Sequence, residues 1–240
     1  MKNKRILLLA LLISIPILSV LVWNGIILLN NPSPNRYPVR GVDVSRYQGQ
    51  IDWELLASND ISFAFIKATE GSSHVDSCFS YNYEEARKTS LRIGAYHFFS
   101  YDSEGQTQAD HYISIVEKTD DMLPPVIDLE FYGDKEQNPP AQDQVRQELT
   151  VMLDRLEEYY SMKPIIYATE KSYKLYLADA FQEYDIWIRN IFTSPRLSDH
   201  REWTFWQYTD RGKLEGYKGD EKYIDMNVFN GSIGDFLNYP

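Results

Sequence analysis

Two carboxylates, Asp128 and Glu130, stand two positions apart in the run Val126-Ile127-Asp128-Leu129-Glu130, which follows Pro124 and Pro125. In a β-strand, residues i and i+2 point to the same face with Cα atoms roughly 6.5 Å apart. Both acids would then face one side of an otherwise apolar strand. Like charges at short range and loss of water each disfavour ionisation, so the pair is costly and calls for a chemical use. Two chemistries suit it. In glycoside hydrolysis one acid protonates the leaving oxygen and the other answers the developing positive charge; alternatively, carboxylates coordinate a hard divalent cation.

The elements around the pair indicate how it is positioned. Short apolar runs predict strands near 41–45, 62–67, 92–98, 125–130, 164–168, 185–189, 203–208 and 223–228, and helices are expected over 76–90, 104–118, 141–161 and 171–180. The clearest helix carries Val145, Leu149, Met152, Leu153 and Leu156 at spacings of three and four. Strand and helix alternate through the first five strands, and the last three strands follow with little helix between them. The pattern predicts an α/β, TIM-like barrel whose final third is short of helices.

Barrels of this kind build their sites at the C-terminal ends of the strands. Asp43 lies near the end of the first strand and Asp225 in the eighth, and closure of a barrel sets those two strands side by side. Asp43, Asp128, Glu130 and Asp225 are therefore expected at one mouth, with Tyr96, His97, Tyr167, Arg189, Trp206, Gln207 and Tyr208 at comparable positions. Sugar rings pack their C–H faces on aromatic planes, so Tyr47, Tyr96, Tyr167, Trp206 and Tyr208 are candidate substrate-binding residues, with His97 and Gln207 as hydrogen-bonding partners. His97 reads more readily as a residue orienting its neighbours than as a base. Lys67 and Glu70 are expected to pair with each other, and Glu157 and Glu158 lie on the solvated side of a helix. A metal-dependent reading would take Asp43, Asp128, Glu130, Asp225 and His97 as ligands, but no H-x-H or H-E-x-x-H spacing accompanies them, and no metal site is expected.

The 240 residues suit one domain, 14% of them are aromatic, and the single cysteine, Cys78, allows no intrachain disulfide. The first 30 residues are different in kind. Lys2, Lys4 and Arg5 precede an apolar run from Ile6 to Leu29, long enough to cross a bilayer and without a small-x-small cleavage site. Residues 1–30 are thus expected to be an uncleaved signal anchor with the remaining chain outside the cytoplasm, and the proline-containing residues 31–37 a stalk linking it to a domain over 38–240. Those 30 residues hold three cations and no acid, so the rest has 21 basic against 35 acidic residues, a net charge of −14. Nucleic acid is an unsuitable partner for that surface. The chain is expected to act as a monomer.

Six motifs carry a family resemblance. Gly41-Val42-Asp43-Val44-Ser45 with Gln48-Gly49, Phe65-Ile66-Lys67-Ala68-Thr69-Glu70-Gly71, Gly94-Ala95-Tyr96-His97-Phe98, Asp128-Leu129-Glu130, Trp206-Gln207-Tyr208-Thr209 and Ile224-Asp225-Met226-Asn227 occur in order between about Pro38 and Phe236. Together they resemble glycoside hydrolase family 25, the Chalaropsis-type lysozymes or N-acetylmuramidases. The resemblance implies an irregular (β/α)5(β)3 barrel. It also implies cleavage, without a cofactor, of the β-1,4 bond from N-acetylmuramic acid to N-acetylglucosamine in the glycan strands of peptidoglycan. It assigns Glu130 as general acid, Asp128 as its assisting neighbour, and Asp43 and Asp225 as further acids of the cleft. The Asp-x-Glu arrangement also resembles that of substrate-assisted chitinases, which suggests net retention, although the longer D-x-x-D-x-D-x-E run is missing. A barrel that only binds glycan would not need Asp128 and Glu130 intact.

Overall fold

The computed structural model describes residues 14–22 and 24–240. Eight strands close into a barrel: β1 (Arg40–Val44), β2 (Phe63–Glu70), β4 (Arg92–Phe98), β5 (Val126–Leu129), β6 (Ile165–Thr169), β7 (Asp185–Arg189), β8 (Phe205–Gly212) and β9 (Ile224–Phe229). The two-residue β3 (His74–Val75) folds back on the end of β2. Neighbours from β1 to β8 are parallel, whereas β9 closes the ring antiparallel to both β8 and β1.

Helices follow the first five barrel strands: α1 (Trp53–Ala57), α2 (Phe79–Ala86), α3 (Gly105–Ile115), α4 (Gln142–Tyr160), and Glu170–Ser172 running into the π-helical turn Tyr173–Leu177. Among the described residues no helix then appears until α5 (Ile233–Leu237), so the helix-poor final third is present as read from the sequence. The clearest predicted helix, α4, buries the expected Val145, Leu149, Met152, Leu153 and Leu156, and ends at Ser161, whose φ of 57° places it in the left-handed region. Helix α1 was not foreseen. It spans five residues and is held by the Asp52 side chain accepting from the Leu55 N–H, which is too little chain for a helical period to show.

Alternation along each strand separates two cores. One lies between barrel and helices; the other fills the barrel with Phe63 and Phe65 of β2, Val126, Ile165, Tyr167, Trp187, Phe205 and Phe229, closed below by Phe236. Large rings on β2 require small neighbours. Gly41 and Gly94 pair with Phe63 and Phe65 across the sheet, and a Cβ at either glycine would lie 2.5 Å from the facing ring. In β5 the alternation puts Val126 in the barrel and Ile127 and Leu129 in the helix-facing core. Asp128 and Glu130 thereby share the inward side.

Residues 1–13 and 23 of the expected anchor lie outside the described residues. Residues 14–22 are helical, a turn follows at Asn24 and Gly25 (φ 60°), and residues 26–30 do not continue the helix. Among the described residues no helix is long and apolar enough to cross a membrane. Residues 31–37 do not stand off as a stalk. The Asn30 side chain donates to the carbonyls of Asn190 and Thr193, the Arg40 guanidinium donates to the Pro32 carbonyl, and Tyr37 is buried with its ring 5.7 Å from that of Trp203. Polar side-chain contacts and one buried aromatic hold this proline-containing segment to the barrel.

Candidate active site

Two adjoining cavities of about 430 and 240 Å³ open at the C-terminal ends of the parallel strands and share Asp43, Tyr96, Asp210 and Asp225 in their walls. The smaller is the deeper in acids: Asp128 and Glu130 line it together with Tyr167, Trp187, Arg189 and Gln207. All four predicted acids therefore meet in one cleft. Asp225 reaches it from the start of β9, not from its end, because an antiparallel strand begins at the mouth where the others finish. There it pairs directly with Asp43 of β1.

The acids are held in different ways. Asp43 Oδ2 accepts from Gln207 Nε2 at 2.9 Å and from Asn227 Nδ2 at 2.7 Å. Burial still raises its carboxyl above the usual range, with those two donors opposing the rise. Asp225 has no such amides, and burial followed by the charge of Asp43 pushes it well up. Asp128 is 7% exposed and its Oδ1 is buried without a hydrogen-bond partner. Burial, and then the neighbouring Glu130 charge, drives Asp128 well above the usual carboxylate range. Glu130 is less enclosed; burial raises it too, and the Arg189 guanidinium works in the opposite direction. Asp128 is thus the more deeply buried member of the pair.

The polar and aromatic candidates divide by strand parity. Tyr96 and Gln207 face the cleft, and Tyr167 lines its deeper part while donating to Gln207 Oε1 at 3.0 Å. Tyr47, 45% exposed, stands at the rim with the Arg46 guanidinium 4.4 Å above its ring. His97, Trp206 and Tyr208 point the other way. His97 is fully buried between Thr69 Oγ1 (2.7 Å) and Gln108 Oε1 (3.1 Å), and burial lowers its imidazole to about 3. Trp206 donates to the Asn190 carbonyl and packs on Trp203, and Tyr208 accepts from Arg40. These three support the barrel from outside and contact none of the cleft's acids.

Sequence reading passed over several residues that the cleft uses. Asn227 of the Ile224-Asp225-Met226-Asn227 motif donates to Asp43, and Trp187, apolar in its strand context, donates to Asn227. Asp210 continues β8 past its expected end and pairs with Arg189 at 2.9 Å. Tyr223 lines the outer cavity from the loop before β9. Lys67 and Glu70 form the expected ion pair at 2.7 Å, with the Lys67 ammonium 4.6 Å from the Phe98 ring centroid. Among the described residues there is no group of three or more His, Cys, Asp or Glu side chains arranged to hold a metal ion.

A closed eight-stranded barrel with a carboxylate-lined, tyrosine-edged cleft at the strand ends is the architecture of a glycoside hydrolase. Comparison with known proteins places it more narrowly: the profile described as "Glycosyl hydrolases family 25" matches residues 42–217, and the chain belongs to that family. It is similar to a family 25 glycosyl hydrolase structure from Bacillus anthracis, with 56% identity and a TM-score of 0.83 over 88% of this chain and 97% of that one. The bacterial lysozyme structure from Streptomyces coelicolor is 31% identical with a TM-score of 0.75, covering 83% and 95%. Lysozyme M1 of Streptomyces globisporus is 33% identical over 215 residues, covering 83% of this chain and 70% of that protein.

Proposed function

We propose that this protein is a lysozyme, an N-acetylmuramidase that hydrolyses the β-1,4 bond from N-acetylmuramic acid to N-acetylglucosamine in peptidoglycan. The observation that carries the reading is the carboxyl pair Asp128 and Glu130 meeting Asp43 and Asp225 in one cleft of a family 25 barrel. The similarity to proteins named as lysozymes supports the substrate class.

A sugar alkoxide is a poor leaving group, so the first requirement is a carboxylic acid that keeps its proton near neutral pH. Burial shifts Glu130 in that direction, lifting its carboxyl above the usual range, while it stays accessible from the cleft. As the glycosidic bond breaks, positive charge grows at the anomeric carbon, and carboxylates along the cleft stabilise it. Asp128 assists. Its unpartnered Oδ1 is the natural acceptor for an N–H of the substrate's 2-acetamido group, whose oxygen then attacks the anomeric carbon and gives net retention. Tyr96 and Tyr167 lie deep in the cleft and Tyr47 at its rim, where they meet sugar faces.

The decisive experiment digests purified peptidoglycan with the full chain and identifies the new reducing sugar by mass spectrometry. Muramic acid at the new end supports the assignment, and glucosamine refutes the bond. Glu130→Gln is the matched control, and undiminished activity in it refutes the acid.

The apolar, uncharged stretch Ile6–Leu29 behind Lys2, Lys4 and Arg5 supports a further reading, that the amino terminus holds the monomeric enzyme at the outer face of a membrane. Tethering raises local concentration near the wall. Deleting residues 1–30 is expected to move the protein from the membrane fraction to the soluble fraction and to weaken lysis of cells while sparing soluble glycan fragments. Equal lysis by both forms argues against it.

A further inference from the structure

Asp43 is addressed by two side chains that are themselves fixed from below. Asn227 and Gln207 both donate to the same oxygen, Oδ2, at 2.7 and 2.9 Å. Each amide has a second partner. Trp187 Nε1 donates to Asn227 Oδ1 at 2.8 Å, and the Tyr167 hydroxyl donates to Gln207 Oε1 at 3.0 Å. An indole N–H can only donate. The atom of Asn227 facing Trp187 must therefore be the carbonyl oxygen, which turns its NH₂ toward Asp43. Burial lifts the Tyr167 phenol well above its ordinary range, so it too remains a proton carrier, and Gln207 is turned the same way. The rings that hold these donors cannot swing freely. Trp187 is stacked on Phe65 at 4.7 Å and edge-on to Tyr167 at 4.7 Å, both in the aromatic filling of the barrel.

The consequence falls on the partner acid. Asp43 and Asp225 sit opposite each other in the β1–β9 pairing, and both side chains line the same cleft. Two buried carboxyls that face one another do not both ionise readily, so one of them keeps its proton. Two N–H donors on Asp43 and none on Asp225 decide where it resides. We infer that Trp187 and Tyr167 are positioning residues that, acting through Asn227 and Gln207, make Asp43 the anion and Asp225 the proton donor of this pair.

This arrangement gives the cleft a fixed negative charge on the β1 wall, across from Asp128 and Glu130. The charged and titratable groups facing the pair are Tyr96, Asp128 with Glu130, Tyr167, Arg189, Asp210 and Arg211, with Glu221 and Tyr223 from the loop before β9. Arg189 and Arg211 are the cations among them, and the two amides are the donors bonded directly to Asp43. Its charge also helps hold the proton on Glu130, for which Asp43 is an upward influence. The effect on rate rests on the reading of Glu130 as general acid; the protonation pattern does not.

The test deletes one N–H or O–H at a time. Trp187→Phe keeps a ring against Phe65 and removes the donor to Asn227, and Tyr167→Phe removes only the donor to Gln207. The full-length protein, labelled with ¹³C at aspartate carboxyls and assigned through Asp43→Asn and Asp225→Asn, is titrated by NMR without substrate. Around neutral pH the Asp43 signal is expected to be that of a carboxylate and the Asp225 signal that of the acid. In Trp187→Phe the Asp43 transition should move up by roughly one pH unit, since a hydrogen bond to the charged form is lost. In Tyr167→Phe it should move the same way. The acid limb of the pH profile for wall hydrolysis should follow, a loss of about tenfold on that limb with the plateau less affected. A merely structural role would lower activity equally at all pH and leave both transitions in place. The proposal is overturned if Asp225 is the carboxylate, or if neither variant moves Asp43; should Trp187→Phe not fold, Tyr167→Phe decides alone. Correct transitions without muramic acid release would instead sink the functional reading and leave this one standing.

Discussion

Arg189 Nη2 lies 2.9 Å from Asp210 Oδ2 at the side of the acidic cleft, and the same guanidinium is the strongest influence opposing the rise of the Glu130 carboxyl. One cation therefore serves two carboxylates from different strands, β8 and the end of β5. Its presence keeps the acid of the proposed reaction from being pushed still higher. Arg189→Gln removes the charge while keeping a hydrogen-bonding amide. Glu130 should then hold its proton to higher pH, so the basic limb of kcat/KM for peptidoglycan hydrolysis is expected to move upward. A basic limb that stays in place or moves down would show that Arg189 does not act on the acid.

Asp128 gives a stability prediction with a definite sign. Its carboxyl in the folded protein is raised well above its unfolded value, chiefly by burial. The folded state thus binds the proton more tightly than the unfolded chain. The associated stability is fully present below the unfolded value and is lost as pH rises through the folded one. Asp128→Asn cannot ionise and escapes that loss. Its melting temperature relative to the wild type should therefore improve from pH 5 to pH 8, while hydrolysis falls by on the order of a hundredfold or more, the usual scale for a lost catalytic carboxyl. A melting difference that is independent of pH would contradict the burial argument.

The acids were legible in the sequence because strand parity is a strong constraint. Asp128 and Glu130 had to share a face, and barrel closure had to bring β1 beside the last strand. Parity also explains the misreadings. Tyr96 and His97 are adjacent, as are Trp206, Gln207 and Tyr208, and in each set only alternate residues turn inward, although residue type suits all five to a sugar cleft. A strict period-of-two count from Phe205 inward would have kept Gln207 and removed its neighbours. The antiparallel course of β9 left no mark in its own residues and emerges only from pairing. The roles of Trp187 and Asn227 were hidden because their contacts join strands 40 positions apart.

His97 tests the outward assignment directly. Its ring is fully buried, bound to Thr69 and Gln108, and lowered by burial to about 3. A catalytic imidazole would titrate near neutrality. In ¹⁵N NMR the His97 ring is expected to remain neutral from pH 8 down to about pH 4. Because the unfolded chain binds that proton first, His97 favours the folded state fully above about pH 6.5 and progressively less as pH falls toward 3. A protonation midpoint between pH 6 and 7 would return His97 to the list of candidates for the cleft.

The glycine of the Gly94-Ala95-Tyr96 motif shows how a catalytic wall depends on the barrel's filling. Gly94 lies two residues before Tyr96 on the inward side of β4, and a Cβ there would meet the Phe65 ring at 2.5 Å and the Leu123 side chain at 3.1 Å. Phe65 cannot retreat, since Trp187 is stacked on its ring and Phe63 and Phe205 pack edge-on to it. Gly94→Ala should therefore destabilise by about 1–3 kcal/mol, the range for overpacking a close-packed core, read as a fall in the urea midpoint. Because Phe65 supports Trp187, the strain is expected to reach Asn227 and Asp43 as well. Gly94→Ala combined with Phe65→Leu makes room for the methyl and should recover more of the stability lost than of the activity, since a leucine offers no flat face to the indole. Full recovery of both would mean that the ring supplies volume alone and does not orient Trp187.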